Sequence, residues 1–378
     1  MVDDTDADER GTHDADGHEH DDARDPDEHD ADAHDADTHG VDERDVHGAE
    51  SDPGSPADRL RPAPEDRSPA ELLRFGVVNL DKPAGPSSHQ VSAWVRDGIN
   101  DALADLDPDG PGIDGVAHSG TLDPKVTGCL PTLTGTATRA AQVFLEGHKE
   151  YVAELELHAS APSDLAAVVA EFEGEIYQKP PRKSAVTRRL RTRTIHELDV
   201  LEVADRRALL RIRCESGTYV RKLCHDLGLA LGTGAHMGAL RRSATDPFDD
   251  AALHTLQDLW DALAWAREGD AAFLREVVRP AEDALDHLPT VTIAPSAAAT
   301  VATGAPIYAP GVIDVDVGSG PAADIAAEIV TTGTVPDDAD APLVACSLPN
   351  GSAVCLGRLV GDPGAEAGTV VALERVLV

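Results

Sequence analysis

The clearest alternation in the chain runs through residues 151–158 (YVAELELH). Tyr151, Ala153, Leu155 and Leu157 fall on one side, and Glu154, Glu156 and His158 on the other. A period of two predicts a strand with one wet face. Residues 75–81 (FGVVNLD) read as a short strand that ends in the turn Lys82-Pro83-Ala84-Gly85-Pro86. Ser87 and Ser88 follow as candidate N-caps, and Val91, Trp94, Val95 and Ile99 then share one helical face. Leu165, Val168, Val169 and Phe172 keep the spacing i, i+3, i+4, i+7, which predicts a helix capped at Gly174. Leu210, Ile212 and Cys214 alternate with Arg211 and Arg213. Glu215-Ser216-Gly217 turns the chain there, and Val220, Leu223, Cys224 and Leu227 continue it as a helix. Beyond Leu288 the residues are small, β-branched and punctuated by Gly and Pro. Asn350-Gly351 between the apolar runs 343–348 and 353–360 predicts a hairpin.

Composition separates the two ends of the chain from its middle. Of 378 residues, 69 are Asp or Glu and 32 are Lys or Arg, a net charge of −37. The first 50 hold 21 acids, 3 Arg and 7 His, and no aromatic residue, Leu or Ile. Such a segment has nothing to bury, so a disordered acidic tail with a Pro-rich linker is expected over residues 1–70, with order beginning near Glu71. Its histidines read as a solvated low-complexity tract with incidental metal affinity. The remaining length suits two domains, placed at 71–287 and 288–378. The acidic balance excludes a long basic DNA-coating protein. Five isolated Cys exclude a zinc ribbon or a secreted disulfide framework. An acidic start and short apolar runs predict no signal peptide and no membrane span, hence a cytoplasmic protein. So acidic a surface suits a high-salt cytoplasm.

Three stretches compete to carry chemistry. Gly232 to Gly238 (GTGAHMG) has the wrong spacing for a dinucleotide loop and follows a helix, so it reads as a connection. The run 179–193 (KPPRKSAVTRRLRTR) places 7 of the 32 basic residues in 15 positions with no acid. Against an acidic background this predicts phosphate-backbone contact, through Lys179, Arg182, Arg188, Arg189 and Arg191, with Arg241 and Arg242 as neighbours. The third stretch, 118–128 (HSGTLDPKVTG), holds Asp123 among Gly, Pro and Thr, which alone would be a capped turn.

That loop and its surroundings resemble the pseudouridine synthases of the tRNA pseudouridine synthase B family, in particular the archaeal branch related to dyskerin. The resemblance runs in order through GVVNLDKPAGPSSHQV (76–91), HSGTLDPKVTGCLP (118–131), ATR (137–139) and KEYVAELELH (149–158). It continues through FEGEIYQKPPRKSAV (172–186), ESGTYVRKLCHDLGLALGTGAHMGALRR (215–242) and RPAEDALDHLP (279–289). It implies an α+β fold: a catalytic domain with a mixed, mainly antiparallel sheet and flanking helices, then a small C-terminal PUA β-barrel. It also implies isomerisation of uridine to pseudouridine, a reaction without net redox change that needs no cofactor and no metal. By resemblance Asp123 is the nucleophile, ionised at neutral pH without a base to activate it. Tyr151 would stack on the uracil and help move the C5 proton, and Arg221 would pair with Asp123 and orient it. His118, Tyr219, Leu240 and Lys82 would bind the substrate, His118 by holding a nucleotide flipped from its stack. His196 departs from the family pattern, where another aromatic is usual, and so does Thr187, where a Lys is common. The implied partners are tRNA, or rRNA selected by a box H/ACA guide RNA with small partner proteins. The rival class is a non-catalytic RNA-binding scaffold, which needs the basic surface but not the pocket.

Overall fold

A computed structural model describes residues 60–179, 189–319, 322–337 and 339–378. The expected acidic tail, to residue 59, lies outside the described residues. Order begins before Glu71. Leu60 packs in the apolar core of the C-terminal unit, and Arg61 donates to the Leu377 and Ala353 carbonyls, both at 2.9 Å. Arg67 is fully buried and grips both carboxylate oxygens of Glu282, at 2.8 and 2.7 Å. Prolines suggest a linker here, yet Pro64 and Pro69 stand at the start of helical turns, where a missing N–H costs nothing. The second of these turns is α1 (Pro69–Arg74), opened by a capping box between Ser68 and Glu71.

Among the described residues, ten strands form the main sheet. They are β1 (Gly76–Lys82), β2 (Val116–His118), β3 (Thr127–Thr134), β4 (Lys149–Leu157) and β5 (Gly174–Gln178), then β6 (Arg191–Ala204), β7 (Arg207–Cys214), β8 (Ala235–Thr245), β9 (Phe248–Asp249) and β10 (Arg279–Pro280). Their order is β10-β1-β3-β8-β4-β7-β6-β5, with β2 beside β3 and β9 beside β8. Among the described strands of this sheet, β3 with β8 pairs in parallel and the other pairs are antiparallel. The mixed, mainly antiparallel sheet with flanking helices is therefore as expected.

The helices divide this sheet into two lobes. Helices α2 (Ser88–Leu106), α6 (Leu256–Arg267) and α7 (Ala272–Val277) cover β1 and β3, burying Val91, Val95, Ile99, Leu259 and Leu274 against Val78, Leu80 and Leu130. Helices α4 (Leu165–Ala170) and α5 (Val220–Ala230) cover β4 and β7, burying Leu165, Leu223 and Leu227 against Leu155 and Leu210. Between the lobes in sequence lies the short α3 (Val143–Glu146). Tyr151 and Leu240 are each half-buried and touch both cores. They mark the seam.

Local expectations hold with three corrections. Trp94 leaves the apolar face of α2 and is half exposed. Helix α4 ends at Ala170 with Glu171 as its cap, while Gly174, at φ +97°, opens β5. The glycine-rich connection covers only Gly232 to Gly234; Ala235 to Gly238 already belong to β8.

The C-terminal unit is a second sheet of β11 (Thr290–Ile293), β12 (Ile307–Tyr308), β13 (Val312–Asp316), β14 (Leu343–Ser347), β15 (Ala353–Leu359) and β16 (Thr369–Val376), ordered β12-β16-β15-β14-β11-β13. The expected hairpin joins β14 to β15, with Gly351 at φ +82° in its turn. Phe75, Val77, Leu133 and Phe144 share one core with Leu343, Leu356 and Leu377, so the two sheets are packed together.

Candidate active site

Asp123 sits in the loop between β2 and β3, which is fixed from four directions. The Val126 N–H donates to the Asp123 carbonyl at 2.9 Å, closing a tight turn. From the turn after β1, the Gly85 N–H reaches the Pro124 carbonyl at 2.8 Å. From the first residue of α2, the Ser88 hydroxyl accepts the Leu122 N–H at 2.9 Å and donates to the Leu122 carbonyl at 3.3 Å. Ser87 is the cap of α2, in a box with Gln90, which leaves its neighbour free for this second task. From the end of β1, the Lys82 ammonium donates to the carbonyls of Pro83, Pro124 and Val126 at 2.9, 3.2 and 2.9 Å.

Lys82 is fully buried and saturated by these carbonyls. It therefore positions the loop and does not bind substrate, which corrects the expectation from sequence. Arg242 needs the same correction. Its side chain is buried, so no phosphate reaches it. Nε donates to the Cys129 carbonyl at 2.7 Å, one terminal nitrogen to the Gly120 carbonyl at 3.3 Å, and the other to the Ser119 hydroxyl at 3.1 Å. Arg241 stays partly exposed but is held by Asp81 at 2.9 Å, with Asp250 at 3.8 Å, so its charge is balanced.

Across the loop, Arg221 stands in the first turn of α5 and forms an ion pair with Asp123. The two side chains are 53% and 52% exposed, so the pair is open to a bulky substrate. Gly217, at φ +79°, makes the turn that aims α5. Tyr219 caps this helix from the other side. Its N–H donates to the Gln178 side-chain oxygen at 2.9 Å, and Gln178 returns a bond to its carbonyl at 3.2 Å. Tyr151 on β4 is in register with Arg242 on β8, and Ala153 with Leu240. Burial pushes the Tyr151 hydroxyl above the usual phenol range, while a hydrogen bond and the positive charge of Arg242 pull the other way. His118, on β2, accepts the Gly120 N–H at Nδ1, at 3.3 Å, and meets His89 edge-on at 5.3 Å. Burial, then His89 and Arg242, push it down to about 4, so it is neutral at pH 7.

The structure thus joins the Asp123 loop to α5 through Arg221 and puts Tyr151 and Leu240 at the seam, while His118 ends β2 and Tyr219 stands just before α5. Of the basic run, Lys179 and Arg189 are exposed and Arg191 is half-buried at the start of β6; Arg182, Arg188 and Thr187 lie outside the described residues. Arg193 is bound to Glu215 at 3.0 Å, and His196 stacks on His148 at 4.2 Å. Sequence reading missed Ser88 and the interior roles of Lys82 and Arg242. Only the doubled serine after the β1 turn signalled the first. Among the described residues, no group of three His, Cys, Asp or Glu side chains is placed to hold a metal, and no helix is long and apolar enough to cross a membrane.

A fixed carboxylate paired to an arginine thus lies open to solvent between a loop of one lobe and a helix of the other. Comparison with known proteins gives the family. Residues 111–220 match the N-terminal domain of the TruB family pseudouridylate synthases, and residues 221–286 match the tRNA pseudouridylate synthase B C-terminal domain. Residues 62–92 match the DKCLD (NUC011) domain. A probable tRNA pseudouridine synthase B of Halobacterium salinarum is 62% identical over 327 residues, covering 84% of this chain and 99% of that protein. A protein of the same description from Haloarcula marismortui is 60% identical over 319 residues, covering 84% and 94%. Among solved structures, a Cbf5-Nop10-Gar1 complex matches with TM-score 0.71 and 38% identity, over 85% of this chain and 90% of that one. An H/ACA RNP bound to a substrate RNA containing 2′-deoxyuridine matches with TM-score 0.70 and 37% identity, over 84% and 90%. The chain belongs to the TruB family of pseudouridine synthases.

Proposed function

We propose that the enzyme isomerises uridine in RNA, either in the TΨC arm of tRNA or in rRNA chosen by a box H/ACA guide, with Asp123 as nucleophile. The observation that carries this reading is the Asp123–Arg221 pair, held on a loop that four elements fix and yet half open to solvent. The reaction breaks the bond from ribose to N1, turns the base and rejoins it through C5. Arg221 keeps the carboxylate ionised and aimed, and Tyr151 faces the uracil and takes the C5 proton. His118, neutral, and Tyr219 wall the space for a flipped nucleotide. Lys179, Arg189 and Arg191 would meet RNA phosphates together with Arg182 and Arg188. The C-terminal unit, from about residue 288, would act as a PUA domain. It holds only two basic residues, Arg358 and Arg375, so it would bind RNA by shape and backbone groups.

Two sets of relatives support two substrates. The haloarchaeal proteins are described as probable tRNA pseudouridine synthases, one solved structure as a complex with Nop10 and Gar1, and another as an H/ACA RNP bound to substrate RNA. Work in a salt-rich archaeal cytoplasm fits the net charge of −37. A pure scaffold is disfavoured because it would not need a carboxylate so fully braced. The test is pseudouridine formation by the purified protein on a tRNA transcript, and on an rRNA fragment with and without a guide RNA. Asp123→Asn keeps the size of the side chain but not its charge, and should bind RNA normally while losing roughly a thousandfold in rate, about 4 kcal/mol of barrier. Near-normal turnover by Asp123→Asn would reject the assignment.

A further inference from the structure

Arg242 is a cation that RNA does not reach, so its charge serves the interior. Three of its contacts go to the strand and loop around Asp123: the Cys129 carbonyl, the Gly120 carbonyl and the Ser119 hydroxyl. Tyr151 is its partner in register across β4 and β8, so the two side chains leave the sheet side by side on the same face. One planar guanidinium therefore spans the nucleophile's loop and the phenol at the seam. Other titratable groups near that phenol are committed elsewhere. Cys129 on β3 and Cys214 on β7 are thiols that burial pushes up to about 12, and the Lys149 ammonium on β4 is bonded to the Phe144 and Gly147 carbonyls.

We infer that Arg242 is a positioning residue for removal of the C5 proton, holding the Tyr151 oxygen beside the Asp123 loop and facing the negative charge that oxygen develops as it exchanges its proton. This rests on the uridine isomerisation proposed above. Once the ribose carbon has joined C5, that carbon bears both the sugar and its hydrogen. The C5–H bond then breaks, its electron pair re-forms the C5–C6 double bond, the electrons of the N1–C6 double bond return to N1, and the proton passes to the Tyr151 oxygen as that phenol releases its own. The released proton reaches N1 through water, so atoms and charge balance. Burial disfavours the phenolate and keeps its proton affinity above the usual phenol range, and the guanidinium opposes that only in part.

The experiment is single turnover on RNA carrying either ordinary or 5-deuterated uridine. Arg242→Met should slow the reaction about 100-fold with RNA affinity within about threefold, in the range of a lost acid–base contribution. Its deuterium isotope effect should rise above that of the wild type, because the C5–H step now limits the rate. Arg242→Lys keeps the charge but not the fork, and should fall between the two. Arg221→Met, which acts on Asp123, should slow turnover without raising the isotope effect. Tyr151→Phe deletes only the oxygen that Arg242 holds and must raise it as well. An unchanged isotope effect in Tyr151→Phe, or in whichever arginine variant folds, overturns the inference. A wild type that forms no pseudouridine would instead sink the functional reading itself.

Discussion

Lys82, Lys149 and Arg242 are all withdrawn from water, and the bonds that hold them run mainly to main-chain carbonyls. A carbonyl dipole stabilises a cation less than water does, so burial lowers the proton affinity of both lysines. Lys149 is brought down from 10.5 to about 8. Between those values the unfolded chain binds the extra proton, so stability rises with pH across the window, and the penalty is fully present below it. The effect is on the order of 3 kcal/mol. Urea unfolding at pH 7.5 and pH 10 should show the rise in the wild type and not in Lys149→Met. Equal differences in both proteins would remove Lys149 as its source. Lys82→Met strips a donor from three carbonyls at once. It should cost about 3 kcal/mol or more and loosen the Asp123 loop, so that the rate falls further than RNA affinity does. Retention of full kcat in a variant with a normal melting temperature would show that the loop stands without its cation.

Between elements, the narrowest point is where β3 runs parallel to β8. A Cβ on Gly128 would lie 2.2 Å from the Arg242 carbonyl, and its φ of +102° also excludes other side chains. Gly128→Ala should therefore part the two strands and displace Arg242 with them. A loss of roughly 3 kcal/mol or more is expected in denaturant unfolding, with activity falling too. A variant of unchanged stability would mean that the strands have room to give. This contact also shows what was legible beforehand. Hairpin β14–β15, the apolar faces of α2 and α5, and the alternation of β4 and β7 are local patterns, and they could be read directly. Asp123, Tyr151 and Arg221 came from resemblance, because nothing local distinguishes a catalytic aspartate from a turn. Strand β8 hides in a glycine-rich stretch since its conformation is imposed by pairing with β4. Arg241 and Arg242 look alike in sequence. Strand alternation points one at Asp81 on the surface and buries the other, and only the assembled sheet tells which.

At the scale of the molecule, the segment from Leu60 to Arg67 joins the two sheets. Glu282 accepts both prongs of Arg67 and the Ala353 N–H, so one carboxylate links this segment to the end of the main sheet and to β15. Deleting residues 1–59 should leave catalysis within a few fold, since that stretch offers no apolar surface for docking. Extending the deletion to residue 70 should destabilise the protein by several kcal/mol, the scale of a broken buried ion pair. Identical thermal unfolding of the two truncations would show that the segment is dispensable. Charge acts at this scale too. With Arg241 balanced and Arg242 buried, the proposed contacts of the basic run should carry the salt dependence of RNA binding. Neutralising Arg188, Arg189 and Arg191 together should lower the slope of log affinity against log salt by roughly 0.7 per lost phosphate contact on a single strand. An unchanged slope would move the electrostatic footprint to another surface.

The clasp between Arg61 and the Leu377 carbonyl spans 316 positions of sequence. A ribosome makes the arginine 316 residues before its acceptor. Until β15 and β16 emerge, Leu60 and Arg61 therefore wait without their partners there, while the lobes around Tyr151 can close before them. A chain in which that segment has not returned would keep a finished active site on an unfastened frame.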